Sequence, residues 1–225
     1  MKFINNVNET LRDDMAAEMQ KGSKLSIAAA YFSIYAFEAL RKELSNIDEL
    51  RFIFTDPTFI QKENSKKKKR EFYIPKLNRE RGIYGTEFEV KLRNELNQKA
   101  IARECAAWVK NKAIFKSNVG NKDITDKFIL LDDKAYFPVN GFTTVDLGCE
   151  QGNNMGTNIA KVASPMSLTL LEQFEKLWQN NEELQDVTDK VISSISSAYN
   201  ENAPEFIYFV TLYNIFHEFL DDISE

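Results

Sequence analysis

Lys127 and Asp132 stand at the two ends of a short apolar run, within the stretch ITDKFILLDD at residues 124–133. A lysine ammonium can neutralise a phosphate as a compact point charge. Thr125 adds a hydroxyl two residues before the lysine, but such a hydroxyl is a weak nucleophile unless a base lies beside it. The single histidine, His217, comes 92 positions after Thr125. A site built on these residues could hold a phosphate but would lack an activated nucleophile to cleave it.

A second chemical feature is a run of five consecutive cations. Residues 62–81 hold nine Lys or Arg against three Asp or Glu, although the whole chain has a net charge of −5 and residues 171–225 hold two against twelve. Such a run can bind the backbone of a nucleic acid without any particular geometry, because each cation releases condensed counterions. The alternative is that the run is an ordinary solvated loop. The run consists of Lys66, Lys67, Lys68, Lys69 and Arg70, and the nearby aromatic residues that could stack on bases are Phe72, Tyr73 and Tyr84.

The scaffold that must position these residues is predicted to be a mixed α/β sheet flanked by helices. Apolar runs at residues 25–32 and 50–54, separated by helical spacing over 35–44, predict a parallel β-α-β unit with a right-handed crossover. A capping-box pattern at Thr86 predicts a helix that ends near residues 111–112. The other predicted elements are strands at 113–117, 128–131 and 135–139, helices at 166–179, 184–198 and 205–222, and a long loop at 60–85.

Composition narrows the class of protein. With 225 residues, of which 43% are hydrophobic, the chain can bury a core without disulfides or a metal. Cys105 and Cys149 form no metal-binding pattern and indicate a reducing compartment. The first residues lack the apolar core of a signal peptide, and the apolar tract at 206–220 is too short and polar to span a bilayer. We therefore expect a soluble cytoplasmic protein without a membrane partner, a metal or a cofactor.

The spacing around Lys127 resembles the signature of the phospholipase D superfamily, His-x-Lys, four residues, Asp, known as the HKD motif. Here Thr125 takes the place of the histidine, while Lys127 and Asp132 keep their positions. Residues 140–148 resemble the turn that follows the signature, with Phe142 in place of a serine and Thr144 in place of an asparagine. The resemblance implies a phospholipase-D-like sheet whose pseudo-active site has lost its catalytic histidine.

Other segments resemble the phospholipase-D-like N-terminal domain of bacterial Swi/Snf-type superfamily 2 helicases. They are the start of the first helical unit at 31–40 and the helical stretches at 174–178, 186–188 and 203–220. The resemblance implies an α/β domain at residues 1–164 and an all-helical segment at 165–225 that leads toward a motor domain. The abrupt acidic end at residues 222–225 leads us to expect a fragment of a longer protein. No GxxxxGK[ST] motif occurs, so we expect that these residues do not include the motor. The partners implied are DNA, that motor and a second copy of the chain.

Several alternatives stay open at this point. Lys127 and Asp132 can be the solvated ends of a buried strand. The chain can be an active phosphodiesterase or nuclease half-site that works as a homodimer, or an assembly module in which the basic run is incidental. A metal-dependent nuclease site built on Glu89 and Lys91 is disfavoured, because such a pair belongs on a strand and these residues fall in a predicted helix.

Replacing residues 66–70 by glutamine tests the basic run. We expect weaker binding to labelled DNA and a log–log salt dependence that is shallower by about 0.9 for each duplex phosphate that the run neutralises. Fluorescence anisotropy across a salt series measures both quantities. An unchanged slope would assign the run to an ordinary solvated loop.

Overall fold

The fold is a mixed α/β sheet with helices on both faces, as the sequence predicts. The structure is a computed structural model that describes residues 1–55, 87–118, 124–150 and 158–200. The strands are β1 (Lys2–Ile4), β2 (Lys24–Ala29), β3 (Tyr31–Phe32), β4 (Glu49–Phe54), β5 (Ala113–Asn118), β6 (Phe128–Leu131), β7 (Lys134–Phe137), β8 (Gly141–Phe142), β9 (Ile159–Ala163) and β10 (Leu184–Asp186). The helices are α1 (Leu11–Glu18), α2 (Ile34–Ala39), α3 (Arg41–Asn46), α4 (Glu87–Lys112), α5 (Met166–Gln179) and α6 (Thr188–Asn200).

Eight strands form the main sheet in the order β1-β9-β7-β6-β2-β4-β5-β10. The neighbours β2, β4 and β5 are parallel, and every other pair in this sheet is antiparallel. A separate two-stranded sheet pairs β3 with β8 in parallel. The parallel pairing of β2 and β4 confirms the predicted β-α-β unit.

Successive residues of β2 and β4 are buried on opposite faces of the sheet, which explains their continuous apolar runs. Ile27 and Phe52 point to the face covered by α1, α2, α3, α4 and α6. Ala28 and Ile53 point to the opposite face, where Phe174 of α5 covers them. A strand that is buried on both faces has no solvent-exposed positions, so polar residues do not alternate with apolar ones along its sequence.

Helix α5 is fixed to the second face through Arg51 of β4. Its guanidinium lies 2.6 Å from a carboxylate oxygen of Glu175 and donates to the Ser26 hydroxyl. The guanidinium carbon also lies 5.1 Å from the centre of the Phe174 ring, a cation–π contact. The charge is therefore paired and stacked although its side chain is largely covered.

The structure confirms some predicted helices and corrects others. The helices predicted at 86–112 and 166–179 are present as α4 and α5, whereas the one predicted at 35–44 is split into α2 and α3 around Leu40. The helix predicted at 184–198 begins only at Thr188, because Leu184–Asp186 pairs with β5 and the Asp186 carboxylate accepts the Thr188 N–H. The predicted loop at 60–85 and helix at 205–222 lie outside the described residues.

The structure also describes the state of the two cysteines and the lengths of the helices, to which the expectations about compartment and membrane relate. Cys105 is buried, Cys149 is exposed, and both are free thiols. Among residues 1–55, 87–118, 124–150 and 158–200, no helix combines the length and the apolar character needed to cross a membrane.

A buried carboxylate on α1 joins three strands. Asp14 is 5% exposed, and its two oxygens lie 2.6 Å from Nζ of Lys161 on β9 and 2.8 Å from Nζ of Lys2 on β1. The hydroxyl of Tyr136 on β7 donates to the same carboxylate over 2.9 Å. Burial tends to raise the pKa of Asp14, but the hydrogen bonds from Lys161, Lys2 and Tyr136 outweigh it and hold the pKa below its ordinary value.

Asp14→Asn is expected to reduce the free energy of unfolding by about 2–4 kcal/mol, since it removes the charge that these donors share. In the wild type this stabilisation is complete above the unfolded carboxyl pKa of about 3.9 and is lost as pH falls through the lower folded-state pKa. Urea denaturation between pH 7 and pH 3 measures the difference. The control is Asp13→Asn on the same helix, where the exposed carboxylate pairs with Arg12 and the decrease should stay within about 1 kcal/mol. Equal decreases in the two variants would contradict the assignment.

Candidate functional site

The residues that could do chemistry gather where the central strands end. Strand β6 is antiparallel to β2, with Phe128 opposite Ala28, so Lys127 lies at the carboxyl end of β2. Asn140 follows the carboxyl end of β7, which is antiparallel to β6 and so reaches the same edge. This edge is the ordinary place for a ligand in an open α/β sheet.

A cleft of about 760 Å³ opens at this edge. Its lining includes Thr125 and Lys127 from the predicted motif, Asn140 from the turn after β7, and Asn5 and Asn6 from the segment after β1. The structure thus brings two of the predicted site residues together with three asparagines. Amides at such a place can serve as hydrogen-bond donors and acceptors for a polar ligand.

Lys127 is positioned through the loop that contains Asn140. Its Nζ donates to Asn140 Oδ1 over 3.1 Å, and its carbonyl accepts the Val139 N–H over 3.1 Å. The Asn140 carbonyl in turn accepts the Ala30 N–H just beyond β2. The ammonium is therefore held at the cleft by the ends of β2, β6 and β7.

The two threonines of the motif lie in different surroundings. Thr125 is exposed and lines the cleft with Lys127. Thr144 is half-buried, and its hydroxyl pairs with Glu150 Oε2 over 3.2 Å. Thr144 is not among the residues that line the cleft, although its neighbour Val145 is. The structure therefore brings Thr125, but not Thr144, to the lysine.

Asp132 lies at the other end of β6 from Lys127. The five residue steps between them span about 16 Å at the usual rise of a strand. Asp132 has a φ of 52° in the turn between β6 and β7, and its Oδ1 accepts the Lys24 N–H over 2.8 Å. Its own N–H donates to the Lys24 carbonyl over 3.1 Å. Asp132 fastens this turn to the start of β2 and takes no part in the cleft.

The cleft also contains carboxylates that sequence reasoning did not single out. Asp126 accepts a hydrogen bond from the Gln173 amide of α5 over 2.5 Å, and Glu150 lies beside Thr144. Asp146 is half-buried and accepts from the Thr143 hydroxyl. Burial raises the pKa of Asp146 above its ordinary value, although the hydrogen bonds from Thr143 and Gly141 act in the opposite direction. The lining thus sets one lysine among three acidic groups.

Asn6 holds one wall of the cleft in place. Its Oδ1 accepts the Leu11 N–H over 2.8 Å, and its Nδ2 donates to the Asp146 carbonyl over 2.9 Å. Gly148 approaches this amide so closely that a Cβ would lie 2.6 Å from Asn6 Oδ1, and its φ is +79°. The wall therefore requires glycine at position 148. No periodicity marks Asn5 or Asn6 in the sequence, whereas Asn140-Gly141 is a typical turn dipeptide.

Other predicted site residues are not placed. The basic run Lys66, Lys67, Lys68, Lys69 and Arg70, its neighbouring aromatic residues and His217 lie outside the described residues. Within the described part of the chain, no three or more His, Cys, Asp or Glu side chains form a group that could hold a metal ion. Glu89 and Lys91 fall in α4, which is helical as predicted, so they do not share a strand.

Comparison with known proteins gives distant structural likenesses. No family model matches this chain, and no curated protein matches it. Among solved structures, a phosphatidylserine synthase from Haemophilus influenzae is similar with a TM-score of 0.45 and 14% sequence identity. The match covers 99% of this chain and 45% of the synthase, so the chain spans less than half the length of that protein.

The placement of Asp132 generates a test that separates the two ends of the motif. Asp132→Ala is expected to lower the free energy of unfolding by about 1–2 kcal/mol, because alanine offers no acceptor to the Lys24 N–H and disfavours positive φ. Asp132→Asn keeps an acceptor oxygen and tolerates that φ, so its effect should stay within about 0.5 kcal/mol. Urea denaturation measures stability, and anisotropy measures ligand binding, which neither variant should change. Weaker binding by folded Asp132→Asn would place this residue in the functional site.

Proposed function

We propose that this chain is a phospholipase-D-like accessory module of a DNA helicase that binds nucleic-acid phosphates without cleaving them. The observation that carries the proposal is the position of Lys127, which lies with Thr125 and Asn140 in one cleft at the carboxyl end of the central strands. An ammonium and a hydroxyl can hold a phosphate oxygen by charge and hydrogen bonding. Neither group needs to react for the ligand to bind.

Binding is favoured over cleavage by the chemistry of the cleft. Attack on phosphorus requires a nucleophile that an adjacent base activates. Thr125 supplies only a hydroxyl, and the residues that the structure describes include no histidine that could activate it. The competing hypothesis is an active phosphodiesterase half-site completed by a second copy, and it requires hydrolysis of a labelled oligonucleotide. We expect none, with or without a divalent metal.

The acidic neighbours set the strength of phosphate binding. Asp126, Asp146 and Glu150 bring carboxylate groups to the lining, and each accepts a hydrogen bond from an uncharged side chain. Such charges repel an anion, and the repulsion weakens with salt. We therefore propose that the cleft fixes one phosphate while the basic run at residues 66–70 supplies most of the electrostatic affinity.

The helicase part of the proposal depends on the resemblance of the helical stretches in residues 174–220 to the segment that precedes a motor domain. Two large apolar side chains at the start of α5 are available for contact with a partner: Met166 is 59% exposed and Leu168 is 46% exposed. The partners proposed are accordingly DNA, the motor of the parent chain and a second copy of this chain.

Two charge variants in the cleft test phosphate binding. Lys127→Gln is expected to weaken DNA binding and to reduce the log–log salt slope by about 1, since glutamine cannot neutralise the phosphate that the lysine holds. Asp126→Asn keeps the acceptor for Gln173 but removes a negative charge beside Lys127, so binding should tighten about two- to fivefold. Fluorescence anisotropy over a salt series measures both effects.

The matched control is Lys24→Gln, which removes the same charge at the opposite end of β2 and should leave the slope unchanged. Weaker binding by Asp126→Asn would indicate a cationic ligand and contradict the proposal. Equal effects of Lys127→Gln and Lys24→Gln on the salt slope would also contradict the proposal.

A further inference from the structure

Tyr31 is an exposed aromatic side chain at the end of a buried strand. It is 57% exposed, whereas the next residue, Phe32, packs its ring against Phe52, Phe115 and Phe142 in the core. Successive side chains of a strand point to opposite sides. The burial of Phe32 therefore turns the Tyr31 ring outward, and the pairing of β3 with β8 fixes its backbone.

Tyr31 adjoins the wall of the cleft. It pairs with Gly141 of β8, and a Cβ on that glycine would lie 3.3 Å from Tyr31 Cβ and 2.9 Å from Asp146 Oδ2. Asp146 lines the cleft, and so does Asn140, the residue before Gly141, whereas Tyr31 itself is not among the lining residues. Only a residue without a side chain fits between Tyr31 Cβ and the Asp146 carboxylate. The backbone of Tyr31 therefore adjoins residues that line the cleft.

Two hydrogen bonds connect the tyrosine's strand to Lys127. The N–H of Ala30, the residue before Tyr31, donates to the Asn140 carbonyl over 3.0 Å. The side chain of the same Asn140 accepts from Lys127 Nζ over 3.1 Å. One asparagine therefore contacts both the residue before Tyr31 and the Lys127 ammonium. An aromatic face combined with a cationic backbone contact is the arrangement that binds a base and its phosphate.

We infer that Tyr31 is a stacking platform for an unpaired nucleobase, and that single-stranded nucleic acid is the ligand class of this cleft. The inference rests on the proposed function for the placement of the phosphate at Lys127. A base within a duplex has both faces covered by its neighbours, so only an unpaired base can offer its face to the ring. Stacking of this kind tolerates any base, since every base has a π-face.

The test compares two single-stranded oligonucleotides of about 12 nucleotides, a length within the range of single-strand binding sites. One carries ordinary bases with a central 2-aminopurine, and the other carries abasic sugars with the same phosphates. Tyr31→Ala should weaken binding of the base-bearing strand about five- to hundredfold and leave the abasic strand unchanged. The change in 2-aminopurine emission at saturation should disappear. Tyr31→Phe, which keeps the ring, should behave like the wild type.

Control variants separate this inference from the proposed function. Phe3→Ala removes another exposed aromatic, 63% exposed on β1, where it pairs with β9 and not with β8, and should affect neither oligonucleotide. If Tyr31→Ala weakens both strands equally or neither, the platform is wrong, while the phosphate site stands provided that Lys127→Gln weakens both. If Lys127→Gln weakens neither, the proposed phosphate site fails. Tighter binding of a duplex than of the base-bearing strand would overturn the single-strand assignment.

Discussion

The Asp14 carboxylate carries much of the order in the outer half of the sheet, because it accepts from one residue on each of β1, β7 and β9. A buried carboxylate with such partners holds its neighbours in one arrangement, since any displacement leaves a charge without its donors. Each of these strands has one terminus at the cleft. Strand β1 leads to Asn5 and β7 leads to Asn140, while the first residue of β9, Ile159, lines the cleft itself. The wall of the cleft therefore depends on an interaction that lies beneath it.

The two charged residues that flank β6 have different structural roles. Lys127 lies at the cleft, while Asp132 closes a turn about a strand's length away. In the sequence, only four residues separate them, so they look like parts of one site. In the structure, those four residues form an extended strand, and the two charged residues lie at its opposite ends. A substitution at position 125 or 127 therefore bears on the cleft, whereas a substitution at Asp132 bears on the turn at the other end of β6.

Sequence reasoning succeeded where a residue's own neighbours determine the structure. The apolar runs of β2 and β4, the capping pattern before α4 and the apolar spacing of α5 are local signals, and the elements they predict are present. It failed for β1, β9 and β10, which are held by pairing with distant strands. At the site, Lys127 could be predicted from its spacing. The contributions of Asn6 and Asp146 could not, because they arise from a hydrogen bond between residues 140 positions apart.

The two edges of the described sheet are formed by β1 and β10, each only three residues long. An incoming strand from another molecule would find few backbone groups to pair with at either edge. It would also meet charge, since Lys2 lies on β1 and Asp186 on β10. Short, charged edges are a means by which sheet proteins avoid edge-to-edge aggregation. The shortness of β1 and β10, which also makes them hard to predict from the sequence, thus limits how the described sheet can pair with strands of other molecules.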